Sequence, residues 1–538
     1  MERLAGIQVQ EEAGFAQSIA EAPTAVTAFV GRCLRGPVDR PVRISGFNEF
    51  QRIFGGLWQP STMSYAVEQY FENGGRAAVI VRVTNGARCC TIRLPAGDEA
   101  LVLEALAPGT REFLRAAVDY DGIGENEEDC FNLVIQRVRT PGSEHIEDQE
   151  IYRRVSIAPG VPRSVATVLA ESALARIAGE VPGTRPAPTP RQDPRGLAGY
   201  VLSGTDADDG APLTDYDIIG SAARGTGLFA LDAGEGFNLL CIPPLARDAD
   251  VGASTLLVAN RFCRERRAIL FVDPPVAWDS AAKALAEMRH WPLPSDSACM
   301  FFPRLLGYDK LRGRFEAFAP SGAVAGMLSR ASERWPVWTG ACGEEAVVRP
   351  GLRPACAVDD DLRARLAAAG VNTVQAVRRP GREVPRACTL AGPGAVAADW
   401  RSLASKRLAL LVVNSIERGT RWMVFEPNEP ATWSRAMTQL REFMATLEER
   451  GAFAEREQGD RWFVVCDERV NRDRHREQGI VNILVGIPAV RPGHYHAWIV
   501  SHRAGGSRVQ TVSPNLAGLP DSGLTQVLAE LELPPDIP

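Results

Sequence analysis

Residues 77–83 read Ala-Ala-Val-Ile-Val-Arg-Val, an almost unbroken apolar run. A strand with no polar face must be covered on both sides, which is the situation of an α/β sheet. Just upstream, Met63, Val67, Tyr70 and Phe71 recur at helical spacing and Gly74-Gly75 follows. Glycine accepts the left-handed conformation that ends a helix, so 63–73 is predicted as a helix delivering the chain into the strand. The same order returns at 237–242 (strand), 255–267 (helix) and 268–272 (strand). Strand, helix, strand at this length predicts a right-handed parallel crossover. The expected fold class is therefore mixed α/β, spread over several domains.

Between these blocks the pattern changes. Residues 95–200 carry acidic patches at 125–129 and 144–150, alternating segments such as 131–138, and a stretch predicted as a helix at 165–178 behind Ser164. They close with Pro182, Pro186, Pro188, Pro190 and Pro194, a density that reads as a linker. This region is expected to be an inserted, β-rich domain. Further on, 408–413 continues an apolar helix and 421–426 reads as a strand stopped by Pro427. Asn428, Glu429 and Pro430 then open a helix whose stripe is Trp433, Met437, Leu440, Met444 and Leu447, and that stripe reads as core. Residues 462–466, 480–487 and 495–501 are expected strands. In the last, Tyr495, Ala497 and Ile499 share one face while His496, Trp498 and Val500 share the other.

Composition removes several functions. A net charge of −6 gives no basic footprint for nucleic acid. No stretch approaches the roughly 18 uninterrupted apolar residues of a membrane span. The first 14 residues carry Glu2, Glu11 and Glu12 and no apolar core, so they are not read as a secretory signal. The 11 cysteines are scattered with no C-x-x-C pair, which fits a chain made in a reducing compartment and argues against a zinc ribbon. Cys241 reads as a buried thiol and the vicinal Cys89-Cys90 as structural. No P-loop, G-x-G-x-x-G, H-E-x-x-H or G-x-S-x-G sequence occurs. Asp273 ends a parallel strand, where α/β enzymes keep catalytic groups, but beside Pro274-Pro275 it reads first as a turn or cap residue. His494 and His496 share a strand face, with His502 the nearest third ligand, so a metal is not expected. No cofactor is implied.

The chain ends look like strands in search of a sheet. Ile7 and Val9 alternate with Gln8 and Gln10 over a run too short to be stable alone. Such an arm, added to a neighbour's sheet, would bind through main-chain hydrogen bonds. Arg401, Lys406 and Arg407 make a small basic cluster at a helix start, read as solvated surface or as a contact for an acidic protein.

An ordered series of segments resembles the contractile tail sheath family of bacteriophages, R-type pyocins and related injection systems. The series begins with EAPTAVTAFVGRCLRGPVDRPVRISGFNEFQRIFGG (21–56) and SYAVEQYFENGGRAAVIVRV (64–83). It continues with LSGTDA (202–207), NLLCIP (238–243), FCRERRAILFVDPP (262–275), PSGAVAGMLSR (320–330), GVN (370–372) and RACTL (386–390). GTRWMVFEPNEPATW (419–433) is the most specific match, followed by VVCDERVNRD (464–473) and IPAVRPGHYHAWIV (487–500). The resemblance covers 20–90 and 200–503. ERWPVWTGACG (333–343) departs from the family's aspartate-, glycine- and lysine-containing version.

The resemblance implies a structural subunit and no catalysis. Six-fold rings of it would stack around an inner tube, assembled extended and released by a baseplate to contract and drive the tube through an envelope. Its partners would be itself, the inner tail tube protein, and baseplate and tail terminator proteins, without nucleic acid or membrane insertion. It would be assembled in a bacterial cytoplasm and reside in a virion tail or an extracellular particle. The implied layout is an N-terminal arm (1–20, with Ile7 and Val9), a discontinuous central domain (21–94 and 201–385), and an outward insertion (95–200). A C-terminal domain (386–493), an arm strand (494–503, with Tyr495, Ala497 and Ile499) and an extra tail (504–538) complete it. Each arm would add a strand to a neighbour's C-terminal domain, and Arg401, Lys406 and Arg407 would face the tube. Two other readings compete: a non-contractile tail or baseplate protein with a sheath-like domain, and an α/β hydrolase-like enzyme using Asp273.

Overall fold

The computed structural model describes residues 18–124, 126–190, 199–340, 346–376, 386–391, 399–453, 462–488 and 494–517. The chain enters a buried strand, β1 (Thr27–Gly31), then β2 (Val42–Ile44), α1 (Phe47–Phe54), α2 (Thr62–Glu72) and β3 (Ala78–Arg82). Every residue of β1 and β3 is buried, as the apolar runs require. Ser61 caps α2 by accepting a hydrogen bond from the Ser64 amide. Gly46 is the cap of α1, and the Ser45 amide and hydroxyl donate to the Glu49 carboxylate.

Residues 91–202 form a separate sandwich. Its strands are β4 (Thr91–Ala96), β5 (Glu99–Ala105), β6 (Leu114–Asp119), β7 (Cys130–Val138), β8 (Ile146–Ser156), β9 (Ala175–Ile177) and β10 (Val201–Leu202), with α3 (Val165–Leu169). One sheet runs β10-β6-β7-β8 and the other β4-β5-β9. Ile92, Leu103, Leu133 and Ile135 are among the residues buried between them. The helix expected over 165–178 stops at Leu169. There Ser172 accepts from the Leu174 and Ala175 amides and gives its hydroxyl to Glu150, turning the chain into β9. Part of the proline-rich linker packs on this sandwich, with Ala187 N–H on the Pro95 carbonyl and Thr189 N–H on that of Val118.

The chain returns through α4 (Asp215–Ile219), β11 (Leu239–Cys241), α5 (Ala253–Arg266), β12 (Ile269–Val272), α6 (Ala281–Met288) and β13 (Ala298–Phe302). A hairpin, β14 (Leu305–Asp309) and β15 (Arg314–Phe318), precedes α7 (Ser321–Arg334), β16 (Arg353–Pro354), α8 (Asp360–Ala368) and β17 (Val371–Thr373). The central sheet has seven strands in the order β17-β13-β12-β11-β1-β3-β2, all parallel except β2. Buried clusters cover both faces. On one face α7 lies directly on α2, and Gly322 and Gly326 make this possible. A Cβ on either would stand 2.2 Å from a backbone carbonyl oxygen of α2, that of Ala66 or Tyr70.

The C-terminal part comprises α9 (Leu403–Gly419), α10 (Pro430–Glu449), β18 (Phe463–Val465), α11 (Asp473–Glu477), β19 (Val481–Ile487), β20 (His494–Arg503) and β21 (Gly506–Ala517). Its antiparallel sheet runs β18-β19-β20-β21. The stripe of α10 buries Trp433, Leu440, Met444 and Leu447 with Leu408, Val412 and Ile416 of α9. Residues 421–426, read as a strand, form a 3-10 turn over Arg421–Phe425. Alternation over five residues does not separate period two from period three, and Met423 is buried while Phe425 is 90% exposed.

Candidate assembly interface and interdomain junction

The connections of the central sheet reverse direction between β1 and β11, and open α/β sheets place ligands outside such a reversal. Here chain fills it. The N-terminus of α2 sits over the strand ends, with the Ser61 hydroxyl on the Arg32 carbonyl and the Thr62 hydroxyl on that of Pro244. The cavity left beside Thr62, Tyr65, Gln69 and Arg247 holds about 20 Å³. That is room for a single water.

Asp273, the strand-end carboxylate, is committed to α7. It accepts from the Ser321 amide and hydroxyl, each at 2.9 Å, and so caps the helix. Burial pushes its pKa up from 3.8 to about 6, against the pull of the Ser321 hydrogen bonds and the Arg304 charge. The folded chain thus holds this proton more tightly than the unfolded chain. The stability Asp273 contributes is full below about pH 4 and is lost as pH rises through 6. Asp273→Asn abolishes that dependence. In urea unfolding, the stability difference between wild type and the variant is expected to move in favour of wild type between pH 7 and pH 4. A difference constant over that range would show that Asp273 does not titrate there.

The basic cluster is internal. The Arg407 guanidinium, 5% exposed, donates to the Thr24 carbonyl at 3.2 Å and the Ser332 hydroxyl at 2.7 Å. Its pKa falls to about 10, chiefly through burial, so it stays charged at neutral pH. Lys406 pairs with Asp296 at 2.6 Å, and Arg401 donates to the carbonyls closing α8, those of Ala367 and Ala368. Of the three residues assigned to an inner-tube contact, Arg407 is thus enclosed, while Arg401 and Lys406 are partly exposed and engaged in contacts within the chain.

These residues instead bolt α9 to the central sheet. Arg267, at the end of α5 with φ 55°, turns its guanidinium onto Asn414 (2.6 Å) and Glu417 (3.5 Å). Glu417 also pairs with Arg421. On the same helix the Ser415 hydroxyl accepts from the Ala22 amide at 2.8 Å. Arg264 and Arg266 in the last turn of α5 suit its dipole, and the left-handed turn at Arg267 gives that residue its role across the junction.

The two-faced reading of 495–501 matches the structure. Tyr495, Ala497 and Ile499 pack with Val465, Leu484 and Val512, while Trp498 and Val500 face the α9–α10 core. The strand assigned as an arm, 494–503, is β20, which in the single chain pairs with β19 on one edge and β21 on the other. The first part of the extra tail is β21. Ile7 and Val9 lie outside the described residues. At the start of the described residues, Ile19 is buried among the α9–α10 residues, beside Gly419.

The histidines are absorbed into packing. The His496 ring lies 4.2 Å from that of Trp400 and 3.6 Å from the Asp399 carboxylate. His502 bridges the Thr420 and Ser507 hydroxyls, and burial lowers its pKa to about 4. Among the described residues no group of three His, Cys, Asp or Glu side chains is placed to hold a metal. The ten cysteines among them are free thiols, Cys241 buried and Cys89 and Cys90 unbridged. No helix is long and apolar enough to cross a membrane, again among the described residues.

A covered parallel sheet with its ligand crevice closed, a strand sandwich let into it, and a helix–sheet unit bolted on through α9 make up a fold similar to that of solved contractile sheath proteins. Over 92% of this chain the structure is similar to the sheath tail protein from Listeria innocua, with 96% of that chain covered, a TM-score of 0.58 and 12% identity. Over 92% it is also similar to the sheath of an extracellular contractile injection system, PVC, in its contracted state, with 96% of that chain covered, a TM-score of 0.53 and 16% identity. The sheath tail protein from Desulfitobacterium hafniense matches over 94% of this chain and 100% of its own, with a TM-score of 0.50 and 12% identity. No family model and no curated protein matches the sequence.

Proposed function

We propose that the chain is the sheath subunit of a contractile tail or injection particle. It polymerises as stacked six-fold rings around an inner tube, and the rings collapse to drive that tube through a target envelope. The observation that carries this is the sheath fold spanning 92% of the chain and nearly all of its structural relatives. The work is mechanical; the closed crevice and the capping role of Asp273 support that reading over a hydrolase. Residues 21–94 and 201–385 act as the central body, 386–493 as the unit nearest the tube, and the 95–200 sandwich faces outward, where insertions are best tolerated. The N-terminal arm carrying Ile7 and Val9 links neighbours. The partners are further copies of the chain, an inner tube protein, and baseplate and terminator proteins.

Negative-stain microscopy of the purified chain and of producer-cell lysates tests this. Striated hollow tubes in two diameters and pitches are the expected result. Tubes of a single pitch that never shorten would point to a non-contractile tail protein. Monodisperse particles under both conditions would sink the sheath assignment.

A further inference from the structure

The small sheet β15-β14-β16 turns an apolar face to solvent. Its other face is packed: Leu305 joins the core, and the Phe318 ring lies 5.4 Å from that of Tyr65 on α2. The strand period then gathers Leu306, Tyr308, Phe315 and Ala317 on the outer face, with Leu306 opposite Ala317 and Tyr308 opposite Phe315. Tyr308 and Phe315 are 55% and 59% exposed with their rings 5.6 Å apart, and Leu311 at the hairpin tip is exposed beside them. The solvent face of an antiparallel sheet is ordinarily polar. The hairpin is also held stiffly, because the buried Asp309 accepts from the Leu311 and Arg312 amides and pairs with Arg247 at 2.6 Å. A contiguous exposed apolar face on a fixed element marks a contact surface.

The rim of this face is basic. Lys310, Arg312 and Arg314 are engaged with Glu68 and Glu316. Arg353 lies over the Phe315 ring at 5.4 Å and pairs with no carboxylate among the described residues. A surface of opposite sign lies elsewhere on the same chain. Residues 91–202 hold 17 acidic and 12 basic side chains, so most of the net charge of −6 sits in the sandwich. On its edge strand β8, Ile146 and Ile151 are exposed. Glu144 and Asp148 are exposed beside them; Asp148 has only a distant cation, Arg137 at 3.8 Å, and Glu144 makes no ion pair among the described residues. Each patch is therefore apolar at its centre, and their charges are complementary.

We propose that the outer face of β14 and β15 docks onto the β8 side of the sandwich in a second copy of this chain, with Tyr308 and Phe315 against Ile146 and Ile151, and Arg353 against Glu144 and Asp148. The inference rests on the reading of the chain as one that assembles with its own copies, and goes beyond it in naming which surfaces meet. Two different patches on each chain make the contact heterologous, so it runs on from copy to copy instead of closing a pair, as a ring or a helix requires. Each patch offers roughly a few hundred Å², and together they fall below the about 1,200 Å² that a stable pair buries. Free chains therefore hardly associate through it, and it acts once the rest of the assembly has brought copies side by side. The sandwich then joins copies as well as projecting outward.

Photo-cross-linking of the full chain tests the contact. Phe315→p-benzoylphenylalanine keeps a large aromatic group at the site. Tubes assembled from equal parts of heavy-nitrogen and unlabelled chain are irradiated and digested, so that a link between copies appears as a mixed-label peptide pair. The peptide carrying position 315 is expected to be joined to the peptide carrying 144–151 of a different copy. Tubes whose cross-links run to another part of the chain, to another protein or to nothing would overturn the contact and leave the sheath reading standing. No tubes, with the 144–151 link still formed in concentrated free chain, would remove the sheath reading and keep the contact; no tubes and no link would remove both. Charge reversal gives an independent reading. Arg353→Glu alone, or Glu144→Arg with Asp148→Arg, is expected to raise the concentration needed for tubes about tenfold. All three together are expected to bring it back toward wild type, which a folding defect cannot do, and a further loss in the combined variant counts against the proposal.

Discussion

Gly326→Leu is expected to unfold the central body at markedly lower urea than wild type. Two effects oppose each other. Leucine in a helix interior gains about 1 kcal/mol over glycine in propensity. Against that, its Cβ would stand 2.2 Å from the Tyr70 carbonyl oxygen, with the Asn73 Cβ at 3.0 Å. The Tyr70 oxygen is backbone inside α2 and cannot swing aside, so the helices must separate and open the contacts of Val67, Ala323 and Met327 between them. Overpacking of this kind costs about 1–3 kcal/mol even where side chains can move, and more where they cannot. The loss therefore exceeds the propensity gain, and a net destabilisation of about 3 kcal/mol is expected. Gly236→Ala is the control, since nothing lies within 4 Å of a Cβ there and no unusual φ is required; it should unfold within about 0.5 kcal/mol of wild type. Equal urea midpoints for Gly326→Leu and wild type would mean that α2 and α7 are not in backbone contact.

That close approach shows what a sequence discloses and what it withholds. The apolar run that becomes β3 and the stripe of α10 are legible because burial on both faces, or along one stripe, demands those residues at those spacings. The serine–glycine element around Gly322 was visible only as a matched segment. Its cause, two glycines one turn apart against the backbone of α2, lies in a contact some 250 positions away in the chain. Charges were the least legible. Arg401, Lys406 and Arg407 read as surface because arginine and lysine are mostly solvated. Only the fold brings Thr24, Ser332 and Asp296 to them. The alternation in 495–501 correctly divided β20 into two faces. It could not count neighbours, because a strand with one partner and a strand with two show the same period. The helix expected at 165–178 failed for a similar reason: Ser172 and Glu150, far apart in sequence, jointly redirect the chain.

Truncating the N-terminus at two points is expected to separate assembly from folding. Removal of 1–17 should leave urea unfolding unchanged and abolish long tubes in negative stain, because the lost residues include Ile7 and Val9, the strand-like part of the arm. Removal of 1–22 should in addition destabilise the fold. Ile19 is 7% exposed and sits among Trp400, Leu408 and Val412. Ala22 supplies the amide that the buried Ser415 hydroxyl accepts, and Glu21 pairs with Arg450, the residue that follows α10. Loss of one buried isoleucine costs about 2–5 kcal/mol, and the exposed ion pair adds at most about 1 kcal/mol, so burial dominates. Normal tube length in the 1–17 deletion would take the linking role from the arm, and equal unfolding of the two deletions would show that residues 18–22 do not clamp the C-terminal core. The distinction matters for how force travels. The chain leaves the subunit from the α9–α10 core rather than from β1, since Ile19 and Ala22 are anchored there before Val26 reaches Asn238 and the central sheet. A pull on the arm is therefore resisted first at Ile19 and Ser415, and it reaches the central sheet through α9, where Arg407, Asn414 and Glu417 hold the two bodies together. If the chain assembles as proposed, rings that rotate past one another while staying linked would need that order: a strong anchor for the arm on the C-terminal unit, and a bolt between the two bodies that does not yield before the arm does.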